Sequence, residues 1–302
     1  MLDFVELTES FHGSFAAAEA RVKAGTQPSF GGALALTREL GAVPDFLDPA
    51  NIPAIAWANM LYFLLIYFLY GVCKAAERRG SAPPNLSWVL RVYNATCVAL
   101  ASYVVFGVVR YKIETRGGRF VCNDLSAESL LSRTRFHNVM WWYYAQKYWE
   151  MLDTMFFIMR QSWRQVSFLH IYHHSSITLV TGLFLTLDGS GDLYLPALLN
   201  SGIHVLMYSH YFLSSFESLK ARVWWRPYLT SLQLAQFAVC FAQPLIALYK
   251  GPDCGFASWL KILMLVYQTS MMVLFTLFAR VRYGKGKHGV ASNASGAKAK
   301  GE

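Results

Sequence analysis

The sequence predicts an all-α polytopic membrane protein with seven transmembrane helices, and three observations predict it. Only 15% of the residues are charged, against 55% hydrophobic and 16% aromatic, whereas soluble domains carry roughly 25% charge. Six windows, 49–73, 92–109, 165–187, 193–216, 227–249 and 262–279, contain no Asp, Glu, Lys or Arg, and about 20 apolar residues suffice to cross a bilayer. A seventh window, 136–158, is rich in aromatic residues and carries charge only at Lys147, Glu150 and Asp153. Such segments span as helices, because a helix pairs its own backbone groups where lipid offers none.

Taken in order, the chain opens with an arm, residues 1–50. Asp3, Glu6, Glu9, Glu19, Arg21 and Lys23 interrupt it, so it has no signal-peptide core and the first span is expected to act as its own signal anchor. A single membrane domain follows over 51–283. The tail, 284–302, is basic and rich in Gly, Ala, Ser and Lys, a composition that predicts disorder.

Seven spans place the termini on opposite sides, and charge asymmetry orients them. With the N-terminus lumenal, 15 of the 27 Lys and Arg fall on the cytosolic side and 11 on the lumenal side, Lys147 lying within a span. The cytosolic charges sit in short loops and the tail, where the rule holds best. Cysteine placement agrees with that orientation. Cys73, Cys97 and Cys240 lie in or at spans and read as small apolar fillers. Cys122 and Cys254 lie in the loops after spans two and six, both lumenal, and an oxidising lumen predicts a Cys122–Cys254 disulfide. The tail ends in "KAKGE", similar to dilysine signals that retrieve membrane proteins to the endoplasmic reticulum. Three sequons, at Asn85, Asn94 and Asn293, fall on the cytosolic side or in the membrane and are expected to go unused.

The chemistry is written on four of the spans. "QVSFLHIYHHSSITLV" places His170, His173 and His174 at i, i+3 and i+4, one helical face within about one turn. A lone histidine in a span is more often a packing residue. Three on one face are different, since ionisable groups in the membrane are costly and line functional cavities. In "KYWEMLDT", Lys147, Glu150, Asp153 and Thr154 fall within an arc of roughly 120° at 100° per residue. Each unpaired charge costs about 2.5–3.5 kcal/mol at mid-bilayer, so these must face protein or water. A purely structural ion pair between Lys147 and Glu150 is the plainer reading. "NSGIHVLMYSHYF" supplies Asn200, His204, Tyr208 and Tyr211, and "LQLAQF" supplies Gln233 and Gln236. Bundled together, the four stripes would line one cavity.

Two chemistries suit such a cavity. Histidine boxes can hold two irons for lipid desaturation or hydroxylation, but that site takes about eight histidines in three boxes. This chain has eight in all, with His12 and His288 in the arm and tail, and a single HxxHH cluster. The alternative is acyl transfer with a histidine as nucleophile or base.

In their order, Lys147–Glu150–Asp153–Thr154, His170–His173–His174 and His204–Met207–Tyr208 resemble the KxxExxDT, HxxHH and HxxMY motifs of the ELO family of very-long-chain fatty acid elongases, which are membrane 3-ketoacyl-CoA synthases. Asn200 and "LQLAQF" match as well, and the resemblance runs over roughly 51–283. One departure is His210, where the family usually has a tyrosine. The resemblance implies seven helices, six forming a barrel around an acyl tunnel. It implies condensation of a long-chain acyl-CoA with malonyl-CoA to 3-ketoacyl-CoA, CO2 and CoA, through an acyl-histidine intermediate, without metal or other cofactor.

On that resemblance His173 is the expected nucleophile and His204 its partner, with His170 and His174 positioning the thioester or the enolate. Glu150 and Asp153 would orient imidazoles, Lys147 would balance their charge, and Asn200, Tyr208 and Gln236 would support the substrate. Arg160, Arg164 and Lys220 stand where CoA phosphates would enter. The expected location is the endoplasmic reticulum membrane, N-terminus lumenal and C-terminus cytosolic. The expected partners are the ketoreductase, dehydratase and enoyl reductase of the elongation cycle and a second copy of the chain, with no nucleic acid. "FLHIYHH", with Gln165 five residues before the box, is similar to the polyunsaturated-substrate branch. A receptor would not need four histidines on converging faces, and a transporter would more often show internal repeats.

Overall fold

The computed structural model describes residues 52–115, 118–125, 128–186, 191–220, 223–255 and 257–296; the expected arm, 1–50, lies outside them. Among the described residues the elements are helical and no strand occurs. In chain order they are α1 (Ile52–Arg78), α2 (Ser87–Glu114), α3 (Leu130–Glu150), α4 (Leu152–Met159), α5 (Phe168–Thr186), α6 (Tyr194–Ser214), the short α7 (Glu217–Lys220), α8 (Leu229–Lys250) and α9 (Ser258–Gly296). Three-residue 3-10 turns, Gly191–Leu193 and Arg226–Tyr228, lead into α6 and α8.

Four helices are long and apolar enough to cross a membrane, over Pro53–Arg78, Ser87–Glu114, Arg226–Lys250 and Ser258–Val281. Large apolar side chains such as Trp57, Phe68, Phe106, Tyr249 and Val266 stand exposed on these helices, as lipid-facing residues do. The helices α3, α5 and α6 hold the charged and histidine-bearing stripes instead. Their polar residues, which lower their hydropathy, are largely turned inward: Lys147, Glu150, His174, Asn200 and His204 are all buried.

Packing runs from α2 to α6, from α6 to α8, from α8 to α9, from α9 to α5, from α5 to α3 and from α3 to α2. The first helix, α1, lies against α4 and α5. Buried side chains join these pairs. Val104, Val108, Phe136, Met140, Phe184, Leu195 and Met264 form the largest core cluster, drawn from α2, α3, α5, α6 and α9. At Gly107 on α2 an added Cβ would run into the Val139 side chain on α3, so the glycine permits that close approach.

One expected span departs from its predicted form. Residues 136–158 are not a single helix: α3 starts at Leu130, ends at Glu150, and gives way to α4 at Met151. The Met151 N–H donates to the Tyr148 carbonyl, 3.1 Å, a tightened turn set between two side chains held by different partners. The last helix also continues to Gly296, into the segment whose composition predicts a disordered tail. Extending a formed helix needs no new nucleus.

At one end of the bundle, Cys122 and Cys254 form a disulfide across 132 positions of sequence, with Cα atoms 4.5 Å apart. The adjoining turn is fastened to it. Asp192 Oδ2 accepts from the Cys122 N–H at 2.9 Å, and its Oδ1 accepts from the Asn123 N–H at 2.9 Å and the Asn123 amide at 2.6 Å. The Gln243 amide donates to the Asp192 carbonyl, 3.0 Å, which brings α8 to the same knot.

Candidate active site

A cavity of about 590 Å³ opens among α5, α6, α8 and α9, and His170, His173, His174 and His204 all line it. The i, i+3, i+4 spacing delivers the three α5 imidazoles to one face: the His170 and His174 rings are 4.3 Å apart and those of His173 and His174 5.4 Å. His173 Nδ1, His174 Nδ1 and His170 Nε2 are buried without a hydrogen-bond partner. The nitrogen His173 has left to offer the cavity is therefore Nε2. A second, smaller cavity of about 60 Å³ continues beyond His173, which lines both together with Asn200, Gln236 and Phe237. The smaller one is mainly apolar, walled by Ile177, Val180, Phe184, Leu193 and Met264.

Behind the imidazoles lies a fully buried charge network. Lys147 donates to Glu150 Oε2 at 3.0 Å and to Asn200 Oδ1 at 2.7 Å. Glu150 Oε1 accepts from Gln146 at 2.7 Å and lies 2.6 Å from His204 Nδ1. The side chains of Lys147 and Glu150 are both 0% exposed, and the two opposite charges offset each other where water cannot. Asn200 is oriented by its partners. Its Oδ1 also accepts from Tyr143 OH at 3.3 Å, so its Nδ2 turns toward His204 Nε2, 3.4 Å away. The pattern assigns the His204 proton to Nδ1, facing Glu150, and leaves Nε2 as the acceptor.

The sequence expected Lys147, Glu150, Asp153 and Thr154 to act on one arc, and the structure sends them three ways. Lys147 and Glu150 reach the cavity only through Asn200 and His204. Asp153 lines the cavity, but its carboxylate accepts from Tyr208 OH at 2.6 Å rather than orienting an imidazole. Tyr208 itself is 0% exposed and packs with Tyr93 and Cys97. Thr154 turns to α1 and meets Tyr62 OH at 2.7 Å. Met151 itself keeps right-handed helical torsions, φ −60° and ψ −25°, so the arc is divided by the neighbouring element that each side chain meets.

At the mouth of the larger cavity stand Gln165, His210, Tyr211, Arg226 and Gln233. Arg226, not Arg160 or Arg164, is the arginine among its lining residues; the Lys220 side chain lies outside the described residues. His210, the departure from the expected tyrosine, has Nδ1 3.1 Å from Ser214 Oγ. Sequence reasoning passed over Tyr143 and Gln146. A signal was present: each stands four residues before a partner in the network, Lys147 and Glu150, hence on the same helical face. Among the described residues no group of three or more His, Cys, Asp or Glu is arranged to hold a metal ion.

Residues 50–290 match the family model described as ELO, the GNS1/SUR4 family. The chain is 33% identical over 225 residues to very long chain fatty acid elongase 5 of Tachysurus fulvidraco, covering 74% of this chain and 75% of that protein. It is likewise 33% identical over 225 residues to very long chain fatty acid elongase 2 of Mus musculus, covering 74% and 76%. With elongase 5 of Xenopus tropicalis the identity is 33% over 252 residues, 81% of this chain and 84% of that protein.

Proposed function

The chain belongs to the ELO, or GNS1/SUR4, family, and from that premise we propose that it is a 3-ketoacyl-CoA synthase that elongates long-chain acyl-CoA with malonyl-CoA. One observation carries the reading: His173 stands where a wide, partly polar cavity meets a narrow, apolar one. The apolar end takes the first carbons of an acyl chain, and a thioester at His173 leaves the CoA portion in the wide one. Arg226 at the mouth supplies a guanidinium for CoA phosphates.

The reaction proceeds in two stages. His173 Nε2 attacks the thioester carbonyl, the C–S bond breaks, and CoA leaves as a thiolate that takes up the proton the imidazole gives up. The acyl group is then held as an acyl-imidazole. Malonyl-CoA loses CO2, and the electron pair of the broken C–C bond becomes an enolate. The enolate carbon attacks the held acyl carbonyl, the acyl–nitrogen bond breaks, and the departing nitrogen takes up from solvent the one proton the overall condensation consumes, restoring the imidazole. Bringing the two reactants together in sequence on one side chain converts an encounter into an intramolecular step. His204, its Nδ1–H held by Glu150, presents Nε2 as an acceptor that can take up a proton in the course of the reaction. Lys147 and Asn200 act as positioning residues, through His204.

In this reading seven helices span the endoplasmic reticulum membrane, N-terminus lumenal, and six of them enclose the tunnel. The order of packing supports this, since it runs through α2, α6, α8, α9, α5 and α3 and returns to α2. Reduction and dehydration of the product are left to separate enzymes. The test is membranes from expressing cells given labelled malonyl-CoA and a panel of acyl-CoAs. Labelled 3-ketoacyl product is expected, lost in His173→Ala. With acyl-CoA alone, the wild-type protein should gain the mass of one acyl group and His173→Ala should not. Absence of label across the whole panel refutes the proposal.

A further inference from the structure

The narrow cavity beyond His173 is not uniformly apolar. Gln268 on α9 lines it, is 7% exposed, and its Oε1 is buried without a hydrogen-bond partner. Gln146 and Gln243 share the unpaired Oε1, but each donates through its Nε2, to Glu150 and to the Asp192 carbonyl, and Asn59 and Asn200 are held by Thr178 and Lys147. Thr181 on α5, also buried, lines the same cavity. The position of Gln268 along the tunnel follows from its neighbours. Ser270 meets Tyr172 at 2.9 Å and Tyr267 meets Ser176 at 3.4 Å, so Gln268 stands within one helical turn of His173, about 5 Å along the axis. A chain with its carbonyl at His173 passes this amide within its first carbons.

A saturated chain there leaves the buried amide without a partner, which is costly. We propose that Gln268 is a hydrogen-bonding station for a hydroxyl group on the acyl chain, so that the protein takes hydroxylated long-chain acyl-CoA as a substrate class. A hydroxyl both donates and accepts. It therefore satisfies the amide whichever way round the amide sits, which a carbonyl or an ether would not do. Thr181, about two turns beyond His173 by its place eight residues on in α5, adds a hydroxyl to those of Tyr143 and Tyr267 among the cavity's described lining residues.

This inference rests on the elongase reading, and the experiment separates the two. Membranes are given labelled malonyl-CoA with unsubstituted acyl-CoA and with a positional series of monohydroxylated acyl-CoAs of the same length. One hydroxyl position is expected to be elongated preferentially. The ratio of its kcat/KM to that of the unsubstituted chain should fall about 10-fold in Gln268→Met, which converts to ~1.4 kcal/mol. Comparing ratios cancels any general effect of the substitution. Product from the unsubstituted chain with a flat positional profile overturns the station and leaves the elongase reading standing. No product from any substrate is failure of that reading instead. If Gln268→Met does not accumulate in membranes, the wild-type positional profile decides by itself. An unchanged ratio in an active Gln268→Met also overturns the proposal, and assigns the amide to packing or to bound water.

Discussion

Replacing Lys147 by Met removes one member of a fully buried ion pair and leaves the other. Glu150 would keep its bonds from Gln146 and His204, 2.7 and 2.6 Å, but would lose the charge that balances it. Breaking a buried pair in this way costs about 3–5 kcal/mol. With 1 kcal/mol worth about 2–4 °C in a domain of this size, the Tm should fall by roughly 10 °C. The double variant Lys147→Met/Glu150→Gln removes both charges and keeps the geometry. A glutamine oxygen still accepts from Gln146 and His204, and Asn200 Oδ1 still accepts from Tyr143. Removing a buried pair together is often neutral, so the double variant should recover most of the lost stability while remaining poorly active. The assay is thermal unfolding of the four proteins of the cycle in one detergent, with activity measured alongside. A double variant at least as unstable as Lys147→Met, its loss the sum of the two single losses, would refute the ionic account. It would mean that the lysine stem packs and its charge contributes nothing.

Cys254→Ser should unfasten the end of the bundle where Asp192 holds the Cys122–Asn123 backbone, costing about 2–5 kcal/mol for so long a closed loop; unfolding with and without reductant checks it, the variant being insensitive to reductant and the wild type not. Tyr208→Phe removes the donor to Asp153 and leaves a buried carboxyl oxygen unpaired, for a loss of about 1–3 kcal/mol in the same unfolding measurement. Gly107→Leu would drive a side chain into Val139 where α2 and α3 meet, and overpacking of that kind costs about 1–3 kcal/mol; wild-type stability in that variant would show that the helices part freely. Arg226→Ala should raise the KM for acyl-CoA more than it lowers kcat, because the side chain lines the mouth and not the reacting centre; the split is read from initial rates at varied acyl-CoA.

Spacing by itself determined which residues share a face. The histidines of α5, separated by three and four positions, line one cavity as 3.6 residues per turn requires, and Asn200 and His204 lie one turn apart for the same reason. Length and apolarity gave the helices, because lipid leaves the backbone no other spanning form. Two things were beyond the reach of spacing. The separate destinations of Asp153 and Thr154 are one: Tyr208 and Tyr62, distant in sequence, take up those side chains. The assignment of partners is the other: whether Glu150 meets Lys147 alone or His204 as well depends on how α3 packs beside α6. Periodicity describes one helix at a time. Only the packed bundle decided that a lysine, a glutamate and an amide stand behind His204, and that His173 sits where the wide cavity narrows.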